Sequence, residues 1–307
     1  MTFILLTGAG FTRNWGGPLA GDVFKGLLAD PGVDRQTKSL LVSARGNFES
    51  VLADLQQSSD PQDDKRHGGL ITAVVGLFNG LNGTLMRQRF EFENPPDVAY
   101  SLQSFLSRFD VIFTLNQDAL LELHYNPAIL PHGGRLHHPG MRYGPNYRPG
   151  GTLHDRLASM EPDPKDFTMP TGVQPYVKLH GSVNWVESSA GQRIIVMGGH
   201  KSVAIGQFPV LSWYQAEFQK MLLRPDARLM IIGYSFGDAH INQAIVNGLE
   251  NGLKLFIVDP RGLPAITDHA MFSAFAPDLL GLSDRPISST FAGDRYEHAQ
   301  LSKFFAR

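Results

Sequence analysis

The stretch Phe3-Ile-Leu-Leu6, followed by Thr7-Gly8-Ala9-Gly10, decides the fold class of this 307-residue chain. A short apolar run that ends at glycines is typical of a buried parallel strand, because both faces of such a strand are covered. Similar runs recur along the chain, at 110–115, 176–179, 193–197, 228–232 and 253–258. Helical patterns lie between several of them. The sequence therefore predicts an α/β fold with a Rossmann-like parallel sheet and flanking helices.

Several helix ends can be predicted from capping residues. Asn47 is expected to cap a helix, and Ser212 with Gln215 has the spacing of a capping box ahead of an apolar segment. Asp238 is expected to cap a helix that ends at Gly252.

Two regions interrupt the alternation of strands and helices. Only helical patterns occur from about residue 21 to about residue 108, which predicts a helical insertion or subdomain after the first strand. The Pro- and Gly-rich region from about 125 to 175 is too long for an ordinary connection, so we expect a loop over the site or a lid. With these two features, residues 1–307 are expected to form a single domain.

Composition excludes several classes of function. The net charge is −2, with 27 basic and 29 acidic residues, which argues against a global footprint for nucleic acid or an anionic membrane. The chain has no cysteine, so disulfides, thiol nucleophiles and cysteine-ligated zinc sites are excluded. The N-terminus does not resemble a signal peptide and no membrane span is expected, so we expect a cytoplasmic protein.

Residues that follow the predicted strands are the candidate site, because ligands of open α/β sheets bind beyond the carboxyl ends of the strands. In the first loop, Gly8 and Gly10 permit a tight turn and a close approach of backbone N–H groups to a diphosphate; the alternative is a turn without a ligand. Asn116 and Asp118 follow the second strand and could hold ribose hydroxyls, a carboxamide or water, or form an Asx turn.

Histidines supply the candidates for proton transfer and for metal binding. His180 follows the third strand and is a candidate general base, since histidine titrates near neutral pH. A structural role is the alternative for such a lone histidine. His132, His137, His138 and His154 lack the regular spacing of a metal site, so neither zinc nor another metal is expected.

The segment Gly233-Tyr-Ser235-Phe-Gly237 matches the nucleophile elbow of serine hydrolases, and Asp259 and His269 follow in the hydrolase order. A serine hydrolase built on Ser235 is therefore one alternative function. A module that binds a nucleotide without turnover is another.

Taken in order, these motifs resemble those of sirtuins. Gly8-Ala9-Gly10-Phe11-Thr12 is similar to the sirtuin GAG-x-S loop, and Thr114-Leu-Asn116-Gln-Asp118 is similar to T-Q-N-x-D. His180-Gly181 resembles the sirtuin H-G pair, Gly233-Tyr-Ser235 resembles G-T-S, and Val258-Asp259 falls where sirtuins carry a late strand end that contacts adenosine. The bacterial sirtuin-like branch of phage-defence systems, which includes NAD-consuming enzymes, is the more similar one.

This resemblance implies hydrolysis of NAD to nicotinamide and ADP-ribose, as an antiviral effector that depletes NAD. Under the alternative of a non-catalytic module, the ligand would be NAD or ADP-ribose. It implies that the first loop (Gly8, Ala9, Gly10 and Thr12) holds the diphosphate, and that Asn116, Asp118 and His180 act at the nicotinamide ribose. On the adenosine side it implies Gly233, Ser235, Asp238 and Asp259. The missing cysteines and the substitution of Leu115 for the sirtuin glutamine favour water over acyl-lysine as acceptor. A homo-oligomer or a separate regulatory defence protein is the expected partner, with no membrane and no direct nucleic-acid binding.

Overall fold

The computed structural model describes residues 1–94, 97–125, 137–144, 147, 157–187, 191–199, 201–267 and 276–306. Its main sheet has six strands, all paired in parallel, in the order β10-β9-β8-β1-β2-β5. A smaller sheet has the order β3-β4-β6-β7. The strands are β1 (Thr2–Thr7), β2 (Val111–Thr114), β3 (Met141–Tyr143), β4 (Met160–Pro162), β5 (Tyr176–Lys178), β6 (Gly181–Glu187), β7 (Gln192–Ile195), β8 (Ala227–Ile232), β9 (Lys254–Val258) and β10 (Leu279–Ser283).

Helices cover both faces of the main sheet. They are α1 (Ala9–Thr12), α2 (Ala20–Ala29), α3 (Arg35–Ser43), α4 (Phe48–Gln57), α5 (Pro61–Leu85), α6 (Leu102–Leu106), α7 (Leu120–His124), α8 (Lys201–Gly206), α9 (Pro209–Leu222), α10 (Ala239–Glu250), α11 (Pro264–Thr267), α12 (Ile287–Thr290) and α13 (Arg295–Ser302). In β1, Ile4 and Leu6 pack into one hydrophobic cluster and Leu5 into another, as the two-residue period of a strand requires. The predicted Rossmann-like α/β fold with a helical insertion is confirmed.

The helical insertion follows β1. In the described part of residues 20–106, every regular element is a helix. Helices α2 to α5 enclose a third hydrophobic cluster that contains Leu27, Leu41, Leu52 and Val74, each almost fully buried. The insertion therefore has apolar packing of its own beside the sheet. The single-domain organisation of residues 1–307 stays a prediction.

Five of the six predicted strands form the main sheet. The sixth, 193–197, is instead β7, which pairs antiparallel with β6 in the small sheet. Its place is taken by the edge strand β10, which the apolar pattern does not reveal. A register irregularity lies between Leu279 and Gly281, and the strand is only partly buried. Edge strands need no continuous apolar run, since one edge of the strand has no neighbour.

Of the three helix predictions, the cap at Asn47 is confirmed, the helix from Asp238 to Gly252 is confirmed in its position but not in a side-chain cap, and the capping box at Ser212 is wrong. The Asn47 side chain accepts a hydrogen bond from Ser50 N at the start of α4. Gly252 follows α10 with a left-handed φ of 91°, as a glycine after a helix end commonly does. The capping box at Ser212 is not formed, because α9 begins earlier, at Pro209. Proline suits that first position, since its missing N–H has no partner there anyway.

The long helix α5 has 25 residues and is apolar enough to cross a membrane by length and composition alone. A third of its most apolar window is buried, and Leu70, Val74 and Leu85 contribute to the hydrophobic clusters. Such a helix also occurs as a core helix of soluble folds.

Candidate active site

A cavity of about 860 Å³ lies at the carboxyl ends of the central strands. Its walls come from the loops after β1, β2, β8 and β9, from His180 after β5, and from the insertion helices α2 and α4. The cavity falls within the size range of small-molecule sites, and its position is where open α/β sheets bind ligands. Most of the predicted site residues line it, namely Gly8, Ala9, Gly10, Asn116, His180, Gly233, Ser235, Asp238 and Asp259.

The first glycine loop is in tight backbone contact with the loop at Gly233. Gly8 N donates to Ile232 O at 3.0 Å, and Gly10 N donates to Gly233 O at 2.9 Å. A Cβ atom on Gly8 would lie 2.6 Å from Gly233 O, and one on Gly10 would lie 2.7 Å from Gly233 Cα. Both glycines are therefore required by the contact between loops, and their N–H groups are already used.

The remaining amide of this loop is available. Ala9 is exposed at the cavity, and its N–H donates to no described residue. Because Ala9 is the first residue of α1, this N–H has no acceptor within the helix. It is the group in the loop that can donate to an anionic oxygen in the cavity.

Asn116 is held by two hydrogen bonds that fix its orientation. Its Nδ2 donates to Gly8 O at 3.0 Å and to Thr12 Oγ1 at 2.9 Å. Thr12 Oγ1 in turn donates to Asp118 Oδ2 at 2.9 Å. With both amide hydrogens used, the Oδ1 of Asn116 can accept a hydrogen bond, and no described residue donates to it. The site thus offers a fixed acceptor, suited to a hydroxyl group or a water molecule.

Asp118 and Thr12 lie beneath the cavity wall and are buried. The structure therefore does not bring these two predicted site residues into the cavity; they support Asn116. Burial raises the pKa of Asp118, while the Lys178 ammonium opposes that change. Lys178 is fully buried and donates to the backbone carbonyl of Asp118 and, at 2.8 Å, to Glu122 Oε1.

His180 lies at the junction of β5 and β6 and is only 2% exposed. The following Gly181 has a φ of 74°, and a Cβ there would lie 2.0 Å from Ile194 O, so only glycine fits this turn. The Nε2 of His180 lies 3.3 Å from the Nε2 of His240. Burial and, to a smaller extent, the Lys201 ammonium lower the pKa of His180 to about 3, while Asp238 opposes both. The imidazole is therefore neutral at pH 7.

A partly buried ammonium that acts electrostatically on His180 was not predicted from the sequence. Lys201 Nζ lies 2.6 Å from Asp238 Oδ1 and 3.0 Å from Glu49 Oε2. The ion pairs join α8, the loop after β8 and the insertion helix α4 at the cavity wall. Burial opposes the charge of Lys201, but the two carboxylates outweigh it and raise the pKa. Asp238 is the N-terminal cap residue of α10, as predicted by position, but its side chain makes no capping hydrogen bond.

The geometry around Ser235 argues against a serine nucleophile. In a nucleophile elbow the serine itself occupies the strained turn position. Here the left-handed conformation is at Phe236, with a φ of 59°. No imidazole of a described residue contacts Ser235 Oγ. The carboxylate of Asp259 is bound by the Arg261 guanidinium through two contacts of 3.0 Å, and His269 lies outside the described residues.

The histidines considered as metal ligands fall into two groups. His132 and His154 lie outside the described residues. The other two are described: His137 is partly exposed, with its Nε2 3.9 Å from Asp166 Oδ2, and His138 is buried, with its Nδ1 3.0 Å from Tyr176 O. Within the part of the chain that the structure describes, no group of three His, Cys, Asp or Glu residues could hold a metal ion.

Comparison with solved structures finds sirtuin proteins of similar fold. A Sir2 homologue in complex with NAD is 13% identical, with 99% of this chain and 90% of that chain covered and a TM-score of 0.44. A triple mutant of Sir2 homologues with 2′-O-acetyl ADP-ribose is 14% identical, with 100% and 94% covered and a TM-score of 0.46. No protein-family profile and no curated protein matches the chain.

Proposed function

We propose that this protein is an NAD⁺ hydrolase that releases nicotinamide and ADP-ribose. The observation that carries the proposal is the fixed amide of Asn116, whose Oδ1 acceptor shares one cavity with the imidazole of His180 and the free N–H of Ala9. An acceptor, a neutral base and a donor for an anionic oxygen are what cleavage of a dinucleotide at the ribose needs.

Cleavage of NAD depends on the orientation of the substrate and needs no strong acid to protonate the leaving group. The bond to be broken joins the ribose C1′ to a cationic pyridinium nitrogen, so nicotinamide leaves as a neutral molecule. The transition state resembles an oxocarbenium ion, and positioning with electrostatic stabilisation dominates the rate. We assign Asn116 Oδ1 to the ribose hydroxyl or the attacking water, and neutral His180 to the proton that is removed.

The rest of the cavity is assigned to the remainder of the substrate. We assign Ala9 N–H to the diphosphate, while Gly8 and Gly10 shape the loop. Ser235 and Asp259 are assigned to the adenosine side. Asp238 is committed to Lys201 at 2.6 Å, so we assign it to the charge balance around His180 rather than to a direct contact with NAD.

A product analysis tests the proposal. Purified protein is incubated with NAD, and nicotinamide, ADP-ribose and cyclic ADP-ribose are separated by liquid chromatography. Asn116→Ala is expected to reduce nicotinamide release by about 10²-fold or more, because a poorly positioned reactant costs about that factor. Asn247→Ala, which removes an exposed amide from α10, is the matched control and should behave as the wild type.

Each outcome has a clear meaning. Release of nicotinamide together with ADP-ribose supports hydrolysis. Formation of cyclic ADP-ribose would show that a group of the substrate itself, and not water, attacks the ribose. NAD binding without any product would contradict the enzyme and support a binding module.

We further propose that NAD depletion in the cytoplasm serves antiviral defence, as the resemblance to the bacterial sirtuin-like branch suggests. A chain that destroys NAD must be restrained in uninfected cells, so control by self-assembly or by a regulatory partner is part of this proposal. Activity should then change with oligomeric state, as measured by size-exclusion chromatography with a parallel NAD assay. A monomer at full rate, unaffected by its neighbouring gene products, would contradict this regulation.

A further inference from the structure

Hydrolysis of NAD, the proposed function on which this inference rests, produces one proton per turnover. The water oxygen bonds to C1′, and the electron pair of the broken bond neutralises the pyridinium nitrogen. One hydrogen of the water stays on the new ribose hydroxyl, and the other must leave as a proton. A base that receives this proton has to pass it to solvent before the next turnover.

His180 is only 2% exposed, so little of its ring is in direct contact with bulk water. It also cannot store the proton. Lys201 lies near it with a positive charge, Asp238 supplies the opposing negative charge, and Glu49 completes the ion pairs around Lys201. Burial together with this charge arrangement holds the pKa of His180 at about 3, so the imidazolium form is short-lived at pH 7.

His240 is the neighbour that can receive the proton. It lies in the first turn of α10 and is half-buried, whereas His180 is enclosed. The two Nε2 atoms are 3.3 Å apart, so one of them must carry hydrogen and the other must accept it. When His180 donates through Nε2, its lone pair is on Nδ1, which contacts no described residue. A proton can therefore enter at one nitrogen of His180 and leave through the other.

We propose that His240 relays the proton from His180 to solvent and so sustains the turnover of NAD cleavage. The charged groups that face this pair are Lys201 and Asp238. The same ammonium and carboxylate act on His240, but His240 is more exposed than His180. It can therefore accept a proton from the buried His180 and release it to water. It acts through His180 and does not line the cavity.

Two substitutions separate relay from structural support. His240→Gln keeps a side chain that can hydrogen-bond to His180 but cannot pass a proton on, and His240→Ala leaves a space that free imidazole can enter. Both are expected to lower kcat by about 10²-fold, at the lower end of what proton transfer contributes, with little change in KM. His67→Gln, at a half-buried histidine of α5, is the matched control.

The decisive readout is rescue. Free imidazole should raise the kcat of His240→Ala in proportion to its neutral fraction, so the response should grow with pH, whereas the wild type should not respond. The solvent deuterium isotope effect on kcat should be larger in His240→Gln than in the wild type. Thermal melts verify folding, and His240→Gln decides if His240→Ala does not fold.

Failure of the relay and failure of the proposed function give different results. No nicotinamide from the wild type would overturn NAD hydrolysis and the relay with it. An active wild type with His240→Gln at the same kcat would overturn the relay alone. Slow variants without imidazole rescue and without a larger isotope effect would assign His240 a structural role and also overturn the relay.

Discussion

Replacement of Gly10 by alanine tests whether the first glycine loop is shaped by packing or by a ligand. Gly10 has no left-handed φ, so alanine can adopt its backbone conformation. The added Cβ would lie 2.7 Å from Gly233 Cα and 3.0 Å from Gly233 O, whereas ordinary contacts begin at 3.4 Å. Both neighbours are backbone atoms at the ends of paired strands, so they cannot rotate away as a side chain could.

The expected cost follows from this overlap. Insertion of a methyl group into a packed site typically lowers the free energy of unfolding by about 1–3 kcal/mol. We expect Gly10→Ala to lie at the upper end of this range, because the atoms that its Cβ would meet belong to the backbone. Gly76→Ala in α5 is the control, because its Cβ meets no atom within 4 Å. That change is expected to stabilise the protein by about 0.5–1 kcal/mol, since alanine favours a helix over glycine.

Equilibrium unfolding in urea measures the stability of both variants. A shift of the midpoint reports a change in stability only if the m-value equals that of the wild type. The two variants should move the midpoint in opposite directions. If Gly10→Ala is as stable as the wild type, the packing argument is refuted. A stable Gly10→Ala protein that no longer cleaves NAD would instead assign the glycine to ligand approach.

The remaining predictions concern the charges and the serine of the site. Lys201→Met should lower the free energy of unfolding in urea by about 1–3 kcal/mol, because it leaves the partly buried Asp238 without its partner. Asp238→Asn in the same chain should restore part of that loss, and additive effects would contradict the ion pair. Burial is the main cause that lowers the pKa values of His180 and His138 from 6.5 to about 3 in the folded protein. As the pH falls, these histidines therefore bind protons in the unfolded chain before they do so in the folded protein. Stability should therefore be full above pH 6.5 and fall on acidification, by roughly 2 kcal/mol for each histidine at pH 5, and a stability independent of pH over that range would contradict their burial. Ser235→Ala should keep NAD cleavage within about 10-fold, and a fluorophosphonate probe should not label Ser235, because general-base activation needs an imidazole within hydrogen-bond reach.

The sequence predicts the sheet well because its strands are apolar on both faces. The pairing of β1 with β2 and β8 buries Ile4, Leu5 and Leu6 completely, which requires the continuous apolar run seen in the sequence. The edge strand β10 escapes this signal. In the small sheet only β7 gives this signal, because β3 and β4 have only three residues each.

Candidate site residues could be predicted where they directly follow a strand. Asn116 and His180 were found in this way, and the cavity brings them together. Lys201 could not be found, because it begins a helix, and its partners Glu49 and Asp238 are far from it in the sequence. His240 gives no signal of its own, since only the fold places its ring against His180. Position in sequence identifies residues at strand ends, whereas pairing across elements needs the structure.

The helical insertion takes part in the site rather than lying beside it. Glu49 of α4 reaches Lys201 at 3.0 Å, and Lys201 reaches Asp238 next to the β8 loop. A shift of α4 would remove one carboxylate from Lys201 and leave its positive charge less balanced beside His180. The imidazole would then be still harder to protonate, and proton removal would slow. We therefore expect a shift of α4 to act on His180 through Lys201, which is the route by which the proposed self-assembly or partner would restrain the proposed NAD cleavage.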